Sequence, residues 1–138
     1  MKLFALSSTP LDEKGVSALV SGSGSGGVVT FVGRVRDHAR GRSVSALEYE
    51  AYPEMVEAVF GAIAAEARQR FDVSAIAIHH RLGRLEVGEA SVVIAVAAAH
   101  RSPAFEACRY AIDELKRRAP IWKKEFGPDG AFWVEERP

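Results

Sequence analysis

The chain has 138 residues, 48% of them hydrophobic, which suits a single domain over residues 1–138 that buries roughly two thirds of its unfolded surface. Its 18 basic residues balance 18 acidic ones, which argues against the one-sided basic excess of a broad nucleic-acid footprint. A single cysteine excludes an internal disulfide, no Cys/His spacing suits a metal, and neither a signal peptide nor an apolar run of ~18 residues is present, so no membrane association and a cytoplasmic setting are expected.

Residues 2–6 alternate weakly and predict a strand. Thr9-Pro10 then offers a cap and a first-turn proline for a helix ending near Val20. The SGSGSGG stretch at 21–27 lacks the lysine and Ser/Thr of a phosphate-binding loop and reads as a connector. Residues 28–35 are apolar and β-branched, hence a buried strand, with residues 44–51 as a partner and a basic loop, 36–43, between them.

Val56, Val59, Phe60, Ile63 and Ala67 recur at helical spacing and predict a helix over 53–71 with one buried face. Residues 73–80 and 90–98 are rich in Val, Ile and Ala and predict two central strands, joined by a turn region containing Gly83 and Gly88. Ser102-Pro103 repeats the cap-plus-proline signal, and Phe105, Cys108, Ile112 and Leu115 form a helical seam that ends before Pro120. A hairpin over 121–135, turning at Gly127-Pro128-Asp129-Gly130, closes the chain. The order βαββαββαββ predicts an α+β fold, two layers with a mixed sheet and the helices on one face.

Three basic clusters stand out against the neutral total. Lys116, Arg117, Arg118, Lys123 and Lys124 fall within nine positions around Pro120. The proline disfavours helix at Ala119, so Lys116 belongs to a helix end and Lys123 to an extended segment, and the two converge on one anionic ligand. The macrodipole accounts for cations in the last helical turn but not for Lys123 and Lys124 beyond it. A lysine among other cations loses its proton more readily and serves as nucleophile or proton carrier, whereas a charged one stabilises developing negative charge; sequence does not choose.

His100-Arg101-Ser102 opens a helix, where free N–H groups favour an anion, or Ser102 is simply a cap. Arg36, Arg40 and Arg42 form the third cluster. Cys108 lies on the buried seam and reads as a core residue rather than a nucleophile. His79 and His80 are neighbours on a strand, point to opposite faces and read as structural. Trp122 and Trp133, on the two hairpin arms, read as core cover.

Four pieces of sequence together resemble the catalytic (large) subunit family of molybdopterin synthase, the MoaE family. They are Phe31-Val32-Gly33-Arg34-Val35-Arg36; Leu47-Glu48-Tyr49-Glu50-Ala51-Tyr52-Pro53 with Met55; Ala99-His100-Arg101-Ser102 with Ala104-Phe105; and Lys116-x-Arg118-Ala119-Pro120-x-Trp122-Lys123-x-Glu125. The similarity runs from about Gly27 to Glu136 and leaves the first 26 residues weakly matched.

The resemblance implies an α/β hammerhead and an enzyme of molybdenum cofactor biosynthesis, a sulfurtransferase that converts cyclic pyranopterin monophosphate to molybdopterin by installing two sulfurs. The sulfur donor it implies is a thiocarboxylate on the C-terminal Gly-Gly tail of a small ubiquitin-like subunit. The implied assembly is a homodimer within a heterotetramer, with no further cofactor. By position, Lys116 and Lys123 match the family's active-site lysines, and Arg36, His100 and Arg101 match its substrate pocket. Arg118 and Arg137 are further candidates. The competing reading is a non-enzymatic nucleotide- or RNA-binding module built on the basic clusters, against which neutral charge and the lack of an aromatic RNA-binding signature count.

Overall fold

The computed structural model describes residues 1–134; Arg137 and the last residue of the expected terminal strand, Glu135, lie outside them. The described strands are β1 (Phe4–Ser7), β2 (Gly27–Arg34), β3 (His38–Ala39), β4 (Arg42–Ser43), β5 (Ala46–Ala51), β6 (Ala75–Arg81), β7 (Gly83–Glu86), β8 (Ala90–Ala98), β9 (Ile121–Gly127) and β10 (Gly130–Val134). The helices are α1 (Glu13–Val20), α2 (Pro53–Arg70) and α3 (Arg101–Arg118).

Two four-stranded sheets result. The first has order β1-β6-β8-β2 and is mixed, with β1 parallel to β6 and the other pairs antiparallel. The second, β10-β9-β5-β7, is antiparallel throughout. β3 and β4 form a small hairpin of their own inside the basic loop.

The α+β class stands, but the expectation that all helices share one face is corrected. Alternation along β6 and β8 sends Ile76, Ile78, Val92, Ile94 and Val96 towards α2 and α3, and Ala77, Val93, Ala95 and Ala97 towards Val16 and Val20 of α1. Both faces of the first sheet are therefore apolar and both are covered. This is why β8 reads as an unbroken hydrophobic run from Val92 to Ala98 and is buried from Ala90 to Ala98.

Local signals were partly misread. α1 is capped by Asp12, whose carboxylate accepts from the Gly15 N–H at 2.9 Å, so the Thr9-Pro10 signal lies ahead of the helix. α3 begins one residue before Ser102, with His100 at the N-cap and no side-chain cap bond. Its buried stripe is Ala104, Ala107, Cys108, Ala111 and Leu115, while Phe105 is exposed. Small residues let the helix lie close against β2 and β8, and Phe105 would hold it off. β7, read as part of a turn, pairs with β5 from Tyr49↔Gly83 to Ala46↔Glu86. Trp122 and Trp133 are about half exposed on the outer face of the second sheet, not core cover; Trp122 meets Tyr52 edge-on and Lys124 lies over Trp133.

Candidate active site

Pro120 breaks the chain between α3 and β9 as its chemistry requires. Ala119 takes extended geometry (φ −69°, ψ 128°), its N–H closes the helix on the Leu115 carbonyl, and β9 starts at Ile121. Lys116 leaves the last turn of α3, and Lys123 leaves β9. Both enter a cleft of about 430 Å³ at the junction of the two sheets. Phe31, Gly33 and Arg34 of β2, Arg36, the β3–β4 hairpin through His38 and Arg40, Leu47 and Tyr49 of β5, Ser91 and Val92 of β8, and Glu125 of β9 line the rest.

A β-bulge shapes the floor. Gly33 pairs with Val92 but Arg34 pairs with Ala90, so Ser91 is the extra residue, and both it and Val92 reach the cleft. The bulge needs glycine at 33, because a Cβ there would lie 2.7 Å from Val92 Cγ1.

The electrostatics are those of crowded cations. Burial lowers the pKa of Lys116 below the ordinary lysine value, and the Arg36 guanidinium lowers it further. Lys123 is lowered by burial first and by Lys116 second, with smaller effects of the same sign from Arg40 and Arg36; the Glu125 carboxylate opposes them. Glu125 is 6% exposed and forms an ion pair with Arg40, which ties the β3–β4 hairpin to β9. Arg34 is engaged elsewhere, by both carboxylate oxygens of Glu13 at 3.0 Å and by the Gly88 carbonyl at 3.2 Å. Such a site attracts anions and holds lysines that give up a proton more readily than free ones.

Of the residues singled out in the sequence, Arg36, Lys116 and Lys123 come together here. His100 and Arg101 do not. The cleft sits at the Ser91 end of β8 and His100 follows the other end, about 24 Å away along the strand at ~3.4 Å per residue. Arg101 and Lys116 are likewise at opposite ends of α3, about 22 Å apart at 1.5 Å per residue. Within one chain, residues of two of the three basic clusters meet in this cleft.

Arg118 does not line this cleft among the described residues and is held by carboxylates. Its guanidinium holds Glu66 of α2 at 2.6 and 3.0 Å and Glu114 at 3.2 Å, and Tyr110 also bonds Glu66. Cys108 is buried, and desolvation raises its thiol to about 11, so it is inert. Among the described residues, no group of three or more His, Cys, Asp or Glu side chains could hold a metal, and no helix is long and apolar enough to cross a membrane.

Sequence reasoning gave no role of their own to Glu125 or Tyr49, placed Arg40 in a basic cluster without its partner, and read His80 as structural. Tyr49 stands directly across the β5–β9 ladder from Lys123, and His80 packs edge-on against its ring with centroids 4.8 Å apart. Both histidines are buried: His79 bonds the Lys2 carbonyl at 2.7 Å and His80 the Arg81 carbonyl at 2.8 Å. The only early signal for Glu125 and Tyr49 was their place in the matching blocks.

Comparison with known proteins decides the family. The model of the family described as MoaE protein matches residues 6–118. The chain belongs to the MoaE family. A relative from Pyrococcus abyssi, the molybdopterin synthase catalytic subunit, is 49% identical over 118 residues, covering 86% of this chain and 80% of that protein. A relative of the same description from Mycobacterium tuberculosis, numbered 1, is 47% identical over 133 residues, covering 96% and 90%.

Among solved MoaE-like structures, molybdopterin synthase from Staphylococcus aureus superposes with a TM-score of 0.94 at 35% identity, over 99% of both chains. At 22% identity, a complex of subunits 1 and 2 of the molybdopterin-converting factor from Helicobacter pylori shares the fold, with a TM-score of 0.81 over 99% of this chain and 92% of that one.

Proposed function

We propose that this chain is the catalytic subunit of a molybdopterin synthase, a sulfurtransferase that converts cyclic pyranopterin monophosphate to molybdopterin. The observation that carries this reading is the pairing of Lys116 and Lys123 with Arg36 in one cleft. Cations at three points suit a substrate bearing a cyclic phosphate and a second reactant bearing a thiocarboxylate. The only cysteine is buried and inert, so the sulfur has to enter from outside. A small ubiquitin-like subunit carrying a C-terminal Gly-Gly thiocarboxylate is the donor in this reading.

Roles follow from position. Arg36, whose charge cannot be removed at working pH, holds the phosphate. Lys116 contacts the reacting centre and stabilises negative charge as it develops. Lys123, depressed by burial and by Lys116, orients the incoming tail or moves a proton. The whole chain acts as one domain, in the cytoplasm.

His100 and Arg101 belong to the family's pocket by the resemblance, yet they sit at the far end of β8. The two statements are compatible if the chain works as a homodimer in which one copy lends these residues to the cleft of the other, each dimer carrying two small subunits as a heterotetramer. A reconstitution tests the function: purified chain, thiocarboxylated small subunit and cyclic pyranopterin monophosphate should yield molybdopterin, read as its fluorescent oxidised derivative. No product from folded chain and active donor would refute it.

A further inference from the structure

The glycines of the 21–27 stretch are not alike. A side chain at Gly24 would meet open space, and one at Gly22 would approach only the Ser25 hydroxyl, at 4.0 Å. Gly26 is different. A Cβ there would overlap the Ala99 carbonyl oxygen, well inside the ~3.3 Å at which carbon and a carbonyl oxygen touch. Gly27, the first residue of β2, also passes close: its Cβ would sit 3.4 Å from the Arg101 Cα and 3.6 Å from the Arg101 nitrogen.

Both approaches fall on the turn that carries His100 and Arg101. The connector is pinned on its side, because the Gly26 N–H donates to the Ala98 carbonyl at 3.0 Å and Gly27 opens the β2–β8 ladder opposite Ala98. The turn is held less firmly. Ala99, His100 and Arg101 are exposed, and His100 stands at the N-cap of α3 without a side-chain cap bond. Among the described residues neither the His100 nor the Arg101 side chain has a hydrogen-bond or ion-pair partner. Their aim therefore follows the course of the backbone, and the bare face of Gly26 sets that course.

We propose that Gly26 is a positioning residue of the reaction: by letting the Ala99 carbonyl close against it, it directs His100 and Arg101 towards the cleft of the second copy. This role rests on the shared-site homodimer of the proposed function and gives the 21–27 stretch a task there. A side chain at 26 must push the 99–101 turn away by about 1 Å, and a misplacement of that size costs up to ~100-fold in rate.

Turnover with the small subunit and mixed refolding test it. Gly26→Ala, whose own Lys116 and Lys123 are untouched, should lose roughly ten- to 100-fold in kcat/KM while still dimerising. Refolded with an equal amount of Lys116→Ala it should regain about a quarter of wild-type activity, because the Lys116→Ala copy lends a well-placed His100 and Arg101 to the intact cleft of its partner. Refolded with Arg101→Ala it should regain none, because both copies then lend a defective pair. A general loss of stability would not sort in this way. Gly24→Ala, in the same connector but facing open space, should match wild type. If Gly26→Ala does not fold, Gly27→Val, a strand-favouring change that presses on Arg101, replaces it in both mixtures with the same expected pattern.

Wild-type turnover by folded Gly26→Ala overturns this role, and so does recovery with Arg101→Ala, which would place the defect in the variant's own cleft. Absence of recovery with Lys116→Ala, where Lys116→Ala and Arg101→Ala do restore each other, overturns it too and leaves the shared site standing. If those two variants fail to restore each other, the shared site falls and this role with it. A wild type without turnover removes the function beneath both.

Discussion

Lys123 holds its proton less firmly than a free lysine, because it is partly buried and because Lys116 faces it across the same cleft. The two come from elements that Pro120 forces apart in direction. Crowding of two ammonium groups in one cleft is relieved by loss of a proton or by a bound anion, and the surrounding cations suit the cleft to an anion.

The electrostatic coupling gives a pH prediction. Arg36 lowers the pKa of both lysines, so Arg36→Ala should raise both. If a neutral lysine carries the proton, kcat/KM rises as pH climbs through the lowered pKa, and the variant moves that limb to higher pH. Rate profiles with Nζ chemical-shift titrations check this; an unmoved limb would show that the lysine pKa does not control the rate.

His80 predicts a stability effect at lower pH. Burial is the main reason its pKa falls from 6.5 to about 4, with a backbone bond opposing and the charges of Lys116 and Lys123 adding to the fall. The folded state prefers the neutral ring, so its contribution is fully present above pH 6.5 and is lost as pH drops through about 4. The loss is on the order of 3 kcal/mol over that window. His80→Phe, with no group to titrate, should lose that much less in urea unfolding between pH 7 and 4; parallel curves would mean the ring is not held neutral.

Sharing of the site between copies is testable by mixing. Lys116→Ala and Arg101→Ala should each be inactive alone. Unfolded and refolded together at equal amounts they should recover about a quarter of wild-type activity, since half the random pairs are mixed and each mixed pair has one intact cleft. No recovery would confine His100 and Arg101 to a role outside the cleft.

The central part of this site was legible because its signal is local. A proline between two lysine-bearing segments dictates a change of direction, and Lys116 and Lys123 sit where that rule puts them. Arg40 and Glu125 are 85 residues apart, and nothing near either one announces the pair. The distance of His100 and Arg101 from this cleft within one chain was unreadable for a related reason: a basic triplet at a helix start says nothing about which end of the sheet it occupies. The fold misreadings share a cause. The α3 seam has two stripes at helical spacing, and only contact with β2 and β8 selects the alanine stripe over Phe105. β7 is four residues beginning at Gly83, too short and too close to Gly88 to be distinguished from a turn without its partner β5.

The decisive measurement is turnover by Lys116→Ala in the reconstituted reaction, with affinity for the small subunit followed in parallel. Loss of at least about 100-fold in kcat with unchanged partner affinity and folding is the predicted result, the scale expected when a preorganised charge is removed from a reacting centre. Near-normal turnover by the folded variant would contradict the account.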